Sequence, residues 1–213
     1  MTRPPTGPPS PSPSVHTILY YIYIYITLDG TNGSGKSAVL LQAADILMRT
    51  KGDNNIVLYH GQTSRFTHGY YPYYAIPGET RTFEQPELGA DLIKAIVEQN
   101  PHAKDIYVHD QVLLGSLYEQ CVKNPLDGHK IFLSVVQFLR QSESIRCHFL
   151  LDNVNCLFGN TQYKHQDGTV VGVKDLPLLQ TLLDCFVKPT RSITAIGATT
   201  HSDPLLGRHH QLT

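Results

Sequence analysis

Apolar and polar positions along the chain switch between two rhythms. From Val15 to Leu28 the chain is almost wholly apolar or aromatic, with Tyr21, Tyr23 and Tyr25 alternating with Ile22, Ile24 and Ile26. The run is too short to span a bilayer. It reads as a buried first strand, which need not alternate polar and apolar residues. A helix-like stretch, Ser37 to Arg49, follows, and Lys51-Gly52-Asp53 breaks it. Ile56-Val57-Leu58-Tyr59 is a short second strand, and a long loop with Tyr70-Tyr71-Pro72-Tyr73-Tyr74 and Pro77-Gly78 comes after it.

Helical spacing then takes over. Gln85-Pro86-Glu87 begins a helix with proline in the first turn, and Leu88, Leu92, Ile93 and Ile96 form its apolar stripe. Two more helices are predicted over 110–123, with Val112, Leu113, Leu117 and Val122 inward, and over 129–141, with Ile131, Phe132, Val135, Val136 and Leu139 inward. Cys147-His148-Phe149-Leu150-Leu151-Asp152 is an apolar strand that ends in an acid. Asn155 to Lys174 reads as a polar loop. Asp175 to Val187 reads as a helix with Leu176, Leu179, Leu182, Leu183 and Phe186 inward. Arg191 to Ala198 is the next strand, ending in Thr199, Thr200, His201 and Ser202.

Chemistry enters between the first strand and the first helix. Gly30-Thr31-Asn32-Gly33-Ser34-Gly35-Lys36-Ser37 fits G-x-x-x-x-G-K-[ST] at every fixed position. Strand, glycine-rich loop and helix is the context in which this pattern, the P-loop, works. Glycines let backbone N–H groups face a phosphate without Cβ clashes, and the helix N-terminus adds partial positive charge. Lys36 suits the β- and γ-phosphates, and the Ser37 hydroxyl suits Mg²⁺. The candidate nucleotide-binding residues are Gly30, Asn32, Gly33, Ser34, Gly35, Lys36, Ser37 and Ala38.

Asp152 is the second key position. A carboxylate at the end of an apolar strand is the Walker B arrangement, which places an acid near Mg²⁺. Ser37 and Asp152 are therefore the candidate metal ligands. The next residue is Asn153, which cannot take a proton as a catalytic carboxylate would. The pattern predicts binding with slow or absent hydrolysis. The polar groups after Ala198 are candidates to meet the γ-phosphate, or they form a plain turn.

Composition sets the bounds. A chain of 213 residues suggests one domain, or one with a tail. Apolar residues make up 41%, enough for a core, and the net charge of −1 lacks the basic excess of a typical nucleic-acid binder. The eleven histidines are scattered apart from His209-His210 and show no ligand spacing. Cys121, Cys147, Cys156 and Cys185 lie in apolar segments without C-x-x-C, so a reducing compartment is expected. Residues 1–14 are nearly all Pro, Ser, Thr and Gly and read as a disordered tail. Arg3 is their single basic residue, and their prolines forbid the amphipathic helix of a transit peptide. The tyrosine cluster at 70–74 is read as packing its loop onto the domain, with base stacking as the alternative.

With these residues laid out, the chain resembles the death-associated-protein-three family, in its fungal branch. Four stretches carry the likeness. They are Leu28-Asp29-Gly30 to Ser37; Pro72-Tyr73-Tyr74 through Phe83-Glu84-Gln85-Pro86-Glu87-Leu88; Phe149-Leu150-Leu151-Asp152 with Asn153-Val154-Asn155-Cys156-Leu157-Phe158-Gly159; and the strand from Ile193 to Thr200. The resemblance implies an α/β, three-layer P-loop NTPase fold of the AAA/STAND-like type, its mainly parallel central sheet flanked by helices. It implies a guanine nucleotide, GTP or GDP, with Mg²⁺, and a mitochondrial location. It further implies a place in the small subunit of the mitochondrial ribosome, with that subunit's proteins and rRNA as partners. Phosphate contacts carry over onto Gly33, Gly35, Lys36 and Ser37, and the Walker B role onto Asp152.

An Asn-Lys-x-Asp guanine-reading motif is absent, so ATP stays open as the base. The expected domain runs over 15–213, with the family's C-terminal lid portion missing. A working NTPase switch is the competing reading, and a nucleoside or polynucleotide kinase a weaker third.

Overall fold

A computed structural model describes residues 25–29, 35–50, 54–108 and 111–199. In chain order the elements are β1 (Tyr25–Leu28), α1 (Lys36–Arg49), β2 (Asn55–His60), β3 (Tyr74–Ala75), β4 (Phe83–Glu84), α2 (Pro86–Gln99), β5 (Tyr107–Val108), β6 (Val112–Leu113), α3 (Leu114–Lys123), α4 (Gly128–Gln141), β7 (Arg146–Asp152), β8 (Asn160–Lys164), β9 (Val170–Gly172), α5 (Pro177–Val187) and β10 (Ile193–Ala198). The proline-rich tail at 1–14 and the part of the predicted first strand before Tyr25 lie outside the described residues.

β1, β10, β7 and β2 form the central sheet in that order, and every neighbouring pair is parallel. Parallel strands need crossovers, and helices supply them on both faces. The period-2 alternation of the strands sorts the core into two. Ile56 and Leu58 of β2, Cys147, Phe149 and Leu151 of β7, and Ile193 and Ala195 of β10 face α2, α4 and α5 in the larger cluster. Val57, Leu150 and Ala198, with Leu28, Tyr59 and Ile196, face Leu40 and Ala44 of α1 on the other side. The expected α/β sheet with helical flanks is thus present.

The stripes predicted for α2 and α4 are buried as expected, and in α5 Leu183 alone is only partly covered. α2 and α4 approach closely enough that a Cβ on Gly89 would lie 2.4 Å from the Gly128 carbonyl oxygen.

Two expectations are corrected. The helix predicted over 110–123 starts only at Leu114, because Val112–Leu113 pair with Tyr107–Val108 as a short ribbon. Leu114 and Cys121 are its buried residues, while Val112 and Val122 are 42% and 52% exposed. The segment predicted as a polar loop, 155–174, holds a 3₁₀ turn (Val154–Phe158) and the antiparallel hairpin β8–β9. Thr161 and Tyr163 alternate inward with exposed Asn160, Gln162 and Lys164. That period-2 pattern is short and mostly polar, so composition hid it. The hairpin seats on the loop after β2 through the Gln162 amide, which donates to the Thr67 carbonyl at 2.7 Å.

The tyrosine cluster mostly packs its own loop, as predicted. Tyr71 is buried, and its hydroxyl donates to Asp91 at 3.0 Å. Tyr73 sits against Phe83 and Tyr163 and donates to the Lys164 carbonyl. Tyr70 stays exposed under the Arg65 guanidinium. Among the cysteines, Cys121, Cys147 and Cys185 are buried and Cys156 is partly so. Burial pushes the Cys121 thiol up to about 11 and the Cys156 and Cys185 thiols up to about 12.

Candidate nucleotide site at the carboxyl edge of the sheet

All four central strands point the same way, so their C-terminal ends share one edge of the sheet. Leu28 of β1 is level with Ala198 of β10, and Ala198 is level with Asp152 of β7. Two strand spacings, about 10 Å, separate the end of β1 from Asp152. Partners in register also share a face. Asp152 therefore projects on the side of Leu150 and Ala198, where α1 packs.

Gly30, Asn32, Gly33 and Ser34 lie outside the described residues. Gly35 immediately precedes α1 with φ of +81°, a left-handed conformation that glycine adopts without strain. Its carbonyl accepts the first helical bond, from the Val39 amide at 3.0 Å. The amides of Lys36, Ser37 and Ala38 occupy the first turn, where no preceding helical carbonyl can reach them. Lys36 is partly buried, whereas Ser37 and Ala38 are exposed. Helix α1 carries no acid in its first turn to compete with an anion.

Asp152 is 7% exposed. Its Oδ1 accepts the Asn153 amide at 2.9 Å, the single hydrogen bond to this carboxylate among the described residues. Asn153 takes φ of +58°, the one non-glycine residue with positive φ among those described. Asn tolerates this region because its short polar side chain bonds locally. The bend turns the chain from β7 into the 3₁₀ turn 154–158. Gly197 makes room for that turn on β10, since a Cβ there would lie 2.5 Å from Val154 Cγ1.

The end of β10 is tied to the start of the glycine-rich segment. The Thr199 amide donates to the Leu28 carbonyl at 3.1 Å and its hydroxyl to Asp29 Oδ1 at 2.8 Å. Of the polar residues singled out after β10, Thr199 is thus anchored, and Thr200, His201 and Ser202 lie outside the described residues. The specific Gln85-Pro86-Glu87 run lies behind the site as a brace. Buried Gln85 donates from Nε2 to the Tyr163 hydroxyl at 3.2 Å and to the Phe66 carbonyl at 3.5 Å. Its own amide donates to His129 Nδ1 at 3.2 Å. This joins the loop after β2, the β8–β9 hairpin and helix α4.

Sequence reasoning missed Tyr59. It lies on the α1 face of β2, in register with Leu150, two residues short of Asp152. Burial and then the negative charge of Asp152 hold its phenol above the ordinary tyrosine range. An apolar run ending in Tyr was the visible signal, but it named no partner.

Fold and edge together define an α/β protein with a parallel sheet. At the sheet's carboxyl edge a glycine-led helix N-terminus and a buried carboxylate meet on one face. The family model described as mitochondrial ribosomal death-associated protein 3 matches residues 24–202, and the chain belongs to that family. A search of the curated proteins found no match.

Proposed function

We propose that the chain is a structural component of the small subunit of the mitochondrial ribosome. In this reading it binds a purine nucleotide with Mg²⁺ through Gly30–Ser37 and hydrolyses it slowly or not at all. The observation that carries the reading is Asp152 on the α1 face, level with the end of β1 and followed by Asn153. It gives the glycine-rich segment its acidic counterpart across the sheet, and it leaves the next position without a group able to accept a proton. On this reading the domain has the architecture of a P-loop NTPase of the AAA/STAND-like type.

The residues present fit a hard divalent cation. Asp152 offers carboxylate oxygens of which one has a single N–H partner, and Ser37 offers a hydroxyl in the first turn of α1. Such oxygen donors, few in number and completed by phosphate and water, suit Mg²⁺. The cation would neutralise phosphate charge when bound. By the motif, Gly30, Asn32, Gly33, Ser34 and Gly35 would supply the phosphate cradle, completed by the first-turn amides of Lys36, Ser37 and Ala38. Lys36 supplies the compensating cation. GTP or GDP is the proposed nucleotide on family grounds, with ATP as the alternative.

Family membership supports a mitochondrial location and small-subunit proteins and rRNA as neighbours. No helix among the described residues is long and apolar enough to cross a membrane.

Calorimetry tests the reading. GDP or GTP with Mg²⁺ should bind the full chain, and Lys36→Ala should weaken binding strongly. Unchanged affinity in that variant sinks the site. Multiple-turnover phosphate release that Lys36→Ala abolishes would instead favour the NTPase switch.

A further inference from the structure

Tyr59 is partly buried on the α1 side of the sheet, and its hydroxyl is aimed at the carboxyl edge. A Cβ placed on Gly61 would lie 3.1 Å from the Tyr59 hydroxyl and 3.6 Å from Cζ. The ring therefore runs forward along the chain, past His60, to the position that follows the strand. His60 is in register with Leu151, so the next position comes level with Asp152. Strands β2 and β7 are neighbours, about 5 Å apart. The phenol and the Asp152 carboxylate thus share one face at neighbouring strand ends.

The placement is held from behind. The Tyr59 amide donates to Gln99 Oε1 at 2.8 Å, and Gln99 Nε2 donates to the Tyr59 carbonyl at 2.9 Å. The backbone of Tyr59 is clamped on both of its polar groups, and its ring packs in the cluster with Leu40, Ala44 and Leu150. No hydrogen bond from the Tyr59 hydroxyl joins it to another of the described residues. A partly buried phenol beside a carboxylate, close to it but not bonded to it, leaves room for a bridging water.

We propose that Tyr59 is a positioning residue of the metal side of the nucleotide site, its hydroxyl lining that side from β2 through a water shared with Asp152. This rests on the reading of Gly30–Ser37 and Asp152 as a nucleotide and Mg²⁺ site, and it adds β2 to the elements that build it. Gly61 belongs to the same device, because a Cβ there would press on the hydroxyl at 3.1 Å and shift it by a few tenths of an ångström.

The test uses the full chain labelled with ¹³C at tyrosine Cζ, the Tyr59 signal being assigned by its loss in Tyr59→Phe. Asp152→Asn should move the Tyr59 signal at neutral pH in the absence of any nucleotide, because the two side chains share one face of the sheet edge. GDP with Mg²⁺ should move the Tyr59 signal, and GDP in EDTA should leave it in place. Tyr59→Phe should weaken GDP binding in Mg²⁺ by roughly 3- to 10-fold, leave binding in EDTA unchanged, and leave the melting temperature near that of the parent chain.

A Tyr59 signal untouched by Asp152→Asn overturns the proposal, as does equal loss of affinity with and without Mg²⁺. If GDP binds and Lys36→Ala weakens it while Tyr59 stays silent, the inference fails and the nucleotide reading stands. If calorimetry detects no GDP, GTP or ATP binding to the full chain, both fall.

Discussion

The Thr199 hydroxyl donates to the Asp29 carboxylate at 2.8 Å, joining the end of β10 to the residue that leads into the glycine-rich segment. The Thr199 amide holds the Leu28 carbonyl beside it. One threonine thus fixes the direction in which the chain leaves β1. Thr199→Val keeps the shape and the amide bond but removes the hydroxyl. The loss of one hydrogen bond to a charged group, about 1–2 kcal/mol, should appear as weaker nucleotide binding. Calorimetry with GDP and Mg²⁺ checks it, and the far-ultraviolet spectrum should not change.

Among the described residues the outer edge of β2 is closed by side chains, with no strand paired there. Buried Asn100 accepts the Val57 amide at 2.9 Å and donates to the Val57 carbonyl at 2.6 Å and to the Ile96 carbonyl at 2.7 Å. Gln99 treats Tyr59 in the same way, and His102 meets the Asn55 carbonyl at 2.8 Å. Alternate residues of a parallel edge strand point their polar groups outward, and here each of the three meets a side chain. Asn100→Leu would bury an unpaired N–H and C=O on Val57 and cost about 2–4 kcal/mol in a urea titration. Gln99→Leu, at a less buried site, should cost less.

Gly89 and Gly128 make a contact that reverses the usual effect of alanine. In a solvent-facing helix, replacing glycine by alanine gains about 1 kcal/mol. A Cβ on Gly89 would lie 2.4 Å from the Gly128 carbonyl oxygen, and one on Gly128 would lie 2.3 Å from the Ala90 amide nitrogen. Both obstacles are backbone and cannot rotate away. Gly89→Ala and Gly128→Ala should each destabilise the chain by about 1–3 kcal/mol, as overpacking does. Thermal melting of the two variants decides the sign.

Much of this was legible because each strand of the sheet is nearly continuous and apolar. Ile56–Tyr59, Cys147–Asp152 and Ile193–Ala198 left no alternative to buried strands, and α2 and α4 showed strong stripes. Asp152 could be read because it terminates such a run. What stayed hidden depends on chain pairing. The hairpin β8–β9 buries only Thr161, Tyr163 and Val171 in a polar stretch, too few to set a period. The start of α3 moved because Val112–Leu113 found strand partners in Tyr107–Val108. Register placed Tyr59 on the face of Asp152, level with Leu150, and register is not written in either segment alone.

Acid should loosen the layer behind the site. Burial, and then the Arg65 charge, lower the His60 pKa to about 4. Burial also lowers that of His129. Both rings accept backbone N–H groups at Nδ1, from Gln62 at 3.3 Å and from Gln85 at 3.2 Å, which requires the neutral form. Above the unfolded value, about 6.5, both states are neutral and the native contacts are intact. As pH falls from there toward 4, the unfolded chain takes up protons that the native chain refuses, so stability drops. His60 should account for about 1–2 kcal/mol of that loss once its partial exposure is allowed for. Urea midpoints at pH 7.5 and pH 5 measure it, and His60→Gln should flatten the difference.

On the proposed reading, Asn153 is where backbone geometry and hydrolysis compete for one position. Its φ of +58° is needed to turn the chain from β7 into the 3₁₀ turn that packs on Gly197. Asn and Gly accept that conformation, whereas other L-residues pay about 1–2 kcal/mol. A glutamate placed there to polarise water would therefore strain the bend that also presents the Asn153 amide to Asp152 Oδ1. Asn153→Gly should keep stability within about 0.5 kcal/mol and leave nucleotide binding intact, since the amide stays in place. Asn153→Glu should lose about 1–2 kcal/mol, and it should not produce hydrolysis by itself, because the strain displaces the carboxylate that would hold Mg²⁺. Melting temperatures and multiple-turnover phosphate release on both variants separate the two demands. Brisk turnover in a fully stable Asn153→Glu chain would show that the bend imposes no such limit.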